Sequence, residues 1–166
     1  MRSMIAPVTT DHVDLLSGKS FEETVKDLTA ELGKASTEQL MDLLSASDNW
    51  GGYAETCADL AGRSSLIEVG ALNWGKVLTL SGIPMKARCF IVGDPLTAQK
   101  LLAAGGPDVG LYLPAKILVF EDGAGAVHVS YDRFSPVMAS RGIVDLDKVA
   151  NTMDGVLERL ATAAVI

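Results

Sequence analysis

Cysteine is scarce in this chain: Cys57 and Cys89 are the only two in 166 residues, and neither has a Cys-x-x-Cys partner. A disulfide scaffold is therefore excluded, and the simplest home for the protein is the cytoplasm. Positive charge is short too, with 14 Lys and Arg against 21 Asp and Glu for a net charge of -7. Such a surface repels phosphate backbones, so no nucleic-acid partner is expected. No apolar stretch reaches the roughly 18 residues that a membrane helix needs. The opening Met1-Arg2-Ser3-Met4-Ile5-Ala6-Pro7 lacks the apolar run of a signal peptide. A membrane partner is not expected either. What remains is 48% hydrophobic and only 5% aromatic, the composition of an ordinary globular protein. At this length the chain reads as one domain over residues 1–166.

The charge is uneven. Residues 1–63 hold 11 acidic and 5 basic side chains, whereas residues 64–166 hold 10 and 9. The near-neutral remainder offers little long-range repulsion to self-association, which permits a homo-oligomer.

Local signals place the elements. Residues 1–10 read as a loose arm, and His12-Val13-Asp14-Leu15-Leu16 as a short first strand. Ser20-Phe21-Glu22-Glu23 has the form of a capping box, and Phe21, Val25, Leu28 and Leu32 then share one helical face up to a Gly33 stop. A second helix is expected from Thr37 to about Ser45, then a break at Asn49-Trp50-Gly51-Gly52 and a further helical turn or two before Leu60. Leu66–Val69 reads as a strand, Leu72–Leu80 as a short helix or irregular crossing, and Ala87–Val92 as a central strand. Asp94-Pro95 is an N-cap followed by proline at the first helical position. Lys116–Glu121 and Val127–Tyr131 flank Asp122-Gly123-Ala124-Gly125 as a hairpin. A long helix starts near Asp145, with Leu146, Val149, Met153, Val156, Leu157 and Leu160 on one stripe. The expected class is α+β: an antiparallel-rich sheet with a C-terminal hairpin, and helices packed on one face, the long C-terminal one among them.

Three segments also resemble a known family: Ile91-Val92-Gly93-Asp94-Pro95, then Val109-Gly110-Leu111-Tyr112-Leu113-Pro114 running on to Asp122, then His128-Val129-Ser130-Tyr131. Together they look like the domain of unknown function 302 family, whose first helix is similar to Ser20–Val25. The likeness covers residues 11–35 and 64–132 and leaves 36–63 as a helical acidic insertion. It implies a compact TATA-binding-protein-like α+β domain that is dimeric, and it implies no activity. Many members carry an Asp-His pair where this chain has Asn73-Trp74.

Few residues invite chemistry. Gly18-Lys19-Ser20 resembles the end of a P-loop, but Val13 stands where the first glycine is needed, and the capping box accounts for Ser20. Asp11, His12 and Asp14 are crowded in sequence yet make no convincing metal set, and no cofactor is expected. Cys89 lies in an apolar strand, whereas Cys57 sits in a polar stretch and is expected to be exposed. His128 shares a strand face with Ser130 and Asp132, so Asp132 could orient it as a general acid or base. The plainer reading of that face is that solvent or a second subunit covers it. Trp74, Tyr112, His128 and Tyr131 are the candidate ligand-binding residues, between the sheet and the C-terminal helix. The leading expectation is a non-catalytic dimeric module for a small apolar or amphipathic ligand. Two alternatives stand beside it: an adaptor acting through the acidic insertion, and an enzyme using His128.

Overall fold

The computed structural model describes residues 7–166. The first half of the chain forms β1 (His12–Ser17), α1 (Phe21–Ala30), β2 (Gly33–Lys34), α2 (Thr37–Ala46), α3 (Trp50–Leu60), β3 (Ile67–Leu72) and α4 (Trp74–Leu80). The second half forms β4 (Ala87–Gly93), α5 (Pro95–Gly105), a 3-10 turn (Pro107–Tyr112), β5 (Ala115–Glu121), β6 (Val127–Asp132), α6 (Phe134–Ala139) and α7 (Val144–Val165). The six strands make one sheet in the order β1-β6-β5-β4-β3-β2, antiparallel throughout except for the β2–β3 pair. This is the expected α+β architecture.

Alternation along the strands decides which face is covered. Val129 stands opposite Val119 and Leu15, and Ile117 opposite Phe90 and Tyr131, so one register line after another turns apolar side chains to the same side. Helices α1, α5 and α7 cover that side, meeting it with Leu28, Leu101, Leu146, Leu157 and Leu160, all at most 1% exposed. Each such leucine contributes roughly 1.5–3 kcal/mol by leaving water. The capping box at Ser20 forms as expected, with Glu23 N–H donating to the Ser20 hydroxyl and the Ser20 N–H to the Glu23 carboxylate. Asp94 likewise caps α5, accepting from the amides of Leu96 and Thr97 at 3.0 Å each.

Several expectations need correcting. Asn49-Trp50-Gly51-Gly52 is no break: Asn49 accepts from Gly52 N–H and starts α3, which runs for 11 residues. Gly33 does not stop α1, whose C-cap is Glu31; it opens β2 instead. Only glycine fits there, because a Cβ on Gly33 would overlap the Leu60 carbonyl oxygen. Gly62 faces it across the neck of the α2–α3 segment, and a Cβ there would overlap Leu32 and Glu31 backbone. Cys57 is 1% exposed rather than exposed, packed with Tyr53, Leu40, Ala35 and Ile67 in a second small core. Residues 1–6 of the expected arm lie outside the described residues, while Thr10 donates its hydroxyl to the Arg133 carbonyl at 2.7 Å.

Candidate functional site

The four residues chosen for ligand binding do not meet. Tyr131 is 3% exposed in the helix-covered core, and its neighbour His128 points to the opposite face of the sheet. Trp74 opens α4 at the surface, 44% exposed, and Tyr112 closes the 3-10 turn. The space between sheet and α7 is filled by core side chains, Leu146, Ala150, Met153 and Leu157 among them.

The face of the sheet opposite the helices carries the histidines. Asp132 does not orient His128. It lies 2.8 Å from Nδ1 of His12, its register partner on β1. His128 Nδ1 lies 3.1 Å from both oxygens of Asp14, its ring stacks on Phe120 with centroids 4.8 Å apart, and its Nε2 is 3.5 Å from Asp122. The Ser130 hydroxyl donates to Asp14 at 3.4 Å, not to the imidazole, so hydroxyl, ring and carboxylate do not form a relay. The amides of Ala126 and Ala124 hold the Asp122 carboxyl below its usual range, with His128 adding to the effect. Nor is either thiol activated: burial pushes both Cys57 and Cys89 up.

A wide apolar concavity lies elsewhere, where the short helices meet. A groove of about 820 Å³ opens between α2 and α3 on one side and α5 with the Leu113–Ala115 segment on the other. Leu40, Met41 and Leu44 line it at helical spacing, and Leu101, Leu102 and Leu113 face them. A register shift between Glu68 and Gly70 leaves Val69 in the wall. Trp50 and Tyr53 form a tilted aromatic corner, centroids 5.8 Å apart. Its volume and apolar lining match those of small-molecule sites.

Tyr53 ties this wall to the second core. Burial, then its contact with Cys57, pushes the phenol up to about 12 from an ordinary value of 10.0. A raised folded value means the neutral form is favoured by folding, so this contribution is intact below pH 10 and is lost as the pH climbs toward 12. Unfolding free energies of the wild type should fall across that window more steeply than those of Tyr53→Phe. Parallel curves in chemical denaturation would contradict the burial of this phenol.

Comparison with known proteins adds the lineage. The family model "Domain of unknown function DUF302" matches residues 69–160. The chain belongs to the DUF302 family. A crystal structure of an uncharacterised conserved DUF302 protein from Bacillus stearothermophilus superposes with a TM-score of 0.63 at 14% identity, covering 92% of this chain and 97% of that one. At that identity the likeness concerns the fold. No curated protein matches the chain. The DUF302 match spans the α5 wall of the groove and leaves α2 and α3 outside it.

Proposed function

We propose that this DUF302 protein is a non-catalytic binding module that holds a small apolar or amphipathic ligand in the groove between α2–α3 and α5. The observation that carries the reading is a groove of about 820 Å³ walled by leucine, methionine and tryptophan side chains from four separate segments. Met41, Leu44 and Trp50 are each about half exposed there, at 51%, 49% and 48%. Leaving such surface in water forfeits roughly 25 cal/mol per Å², which a bound ligand recovers.

The module acts as a homodimer in the cytoplasm. Val77, Leu80, Ile83 and Met85, on and after α4, leave an apolar patch of 43–76% exposed side chains, which favours burial against a second copy. Two buried, unpaired cysteines suit a reducing compartment. Native mass spectrometry of gently purified protein tests both parts. The expected species is a dimer carrying a reproducible small-molecule mass. A monomer that stays bare after incubation with apolar probes would overturn the reading.

A further inference from the structure

Resting on that reading, we infer that the groove selects an uncharged apolar molecule and rejects anionic amphiphiles such as free long-chain carboxylates. Three helices begin at this groove, α2 at Thr37, α3 at Trp50 and α5 at Pro95, and helix N-termini ordinarily welcome anions. Each one already carries a side-chain cap of its own. Ser36 accepts from Gln39 N–H at 3.1 Å, and Asn49 from Gly52 N–H at 3.0 Å. Asp94 takes the amides of Leu96 and Thr97 at 3.0 Å each and the Thr97 hydroxyl at 2.6 Å. Proline at position 95 has no N–H to offer.

The lining contains no lysine, arginine or histidine, and its single carboxylate, Asp94, is the one committed to the α5 cap. Charge around it points the same way. Between Ala35 and Gly62 the chain carries Glu38, Asp42, Asp48, Glu55 and Asp59 with no cation among them. An anion entering the groove would lose its hydration, find no cation in the lining to compensate it, and meet a like-signed field. A neutral molecule escapes the like-signed field and loses far less hydration. The aromatic corner of Trp50 and Tyr53 can stack on a flat apolar ligand as readily as on a chain.

The test uses Trp50 as the reporter in a Trp74→Phe protein, titrated with decanol, decanoate and decyltrimethylammonium below their micelle concentrations. Decanol should bind at least about tenfold more tightly than decanoate, because the carboxylate is desolvated without a cation to pair with. Decyltrimethylammonium should bind no better than decanol. Leu44→Arg, which exchanges an apolar lining side chain for a cation, should raise decanoate affinity severalfold relative to decanol. Decanoate binding as tightly as decanol, or a preference for the ammonium, overturns the charge selection while leaving the groove a binding site. Failure of all three probes to bind overturns the binding reading itself.

Discussion

Asp154→Ala is expected to lower the unfolding free energy by about 3–4 kcal/mol, among the largest single-site losses in this chain. Asp154 lies on α7, is 6% exposed, and accepts the amides of Phe134 and Ser135 at 2.6 and 3.1 Å. Those amides open α6, whose own N-cap residue Arg133 makes no side-chain cap. The cap is supplied across the fold, 20 residues away in sequence. Alanine leaves two largely buried donors without acceptors and also loses a charge-assisted pair. Asp154→Asn keeps one acceptor oxygen but turns an N–H₂ toward the second amide, so about half the loss should remain. Urea unfolding should show both changes as a shifted midpoint with an unchanged slope. A loss under about 1 kcal/mol for the alanine variant would mean that α6 does not depend on this cap.

The second large effect belongs to the neck of the α2–α3 segment. Gly33→Ala should cost roughly 3 kcal/mol, because its Cβ meets backbone, which cannot rotate away as a side chain can. The same pass of chain holds Gly33 N–H on the Leu66 carbonyl at 2.9 Å and Gly62 N–H on that same carbonyl at 3.0 Å. Forcing the strands apart breaks both bonds and displaces the α2–α3 wall, so groove binding should weaken together with stability. Gly62→Ala should act alike, and the double variant should cost less than the sum, since both press on one contact. Gly18→Ala is the control: nothing lies within 4 Å of its Cβ position, and thermal unfolding should barely move. Equal melting temperatures for the Gly18 and Gly33 variants would contradict the tight neck.

What could be read from the chain follows the range of the interactions involved. The Ser20 capping box, the Asp94-Pro95 start and the β5–β6 hairpin lie within a few residues of sequence and emerged as expected. So did the stripe of α7, whose spacing alone names the covered face. The misses are long-range. β2 is two residues long and exists only because it pairs with β3, so no periodicity could announce it. His12 and Asp132 meet because β1 pairs with β6, a register invisible from either strand alone, and that pairing removes Asp132 from His128. Cys57 was legible in principle: Tyr53, Cys57 and Leu60 recur at helical spacing, which marks a buried face despite polar neighbours. Asp154 also left a trace, as a carboxylate between Ala150 and Leu157 on the apolar stripe of α7. The groove left none, since residues 37–53, 69, 93–110, 113–115 and 153 are brought together only by the fold.

Binding of an uncharged apolar ligand in the α2–α3/α5 groove can be read from a Nile red titration of wild type against Ala98→Trp. Ala98 lines the groove on α5 and is half-buried, so an indole there occupies the cavity. Dye fluorescence should be saturable and blue-shifted for the wild type, with affinity weakened at least about tenfold by the tryptophan and little change in melting temperature. Dye binding that is non-saturable, or that is unchanged in Ala98→Trp, would contradict it.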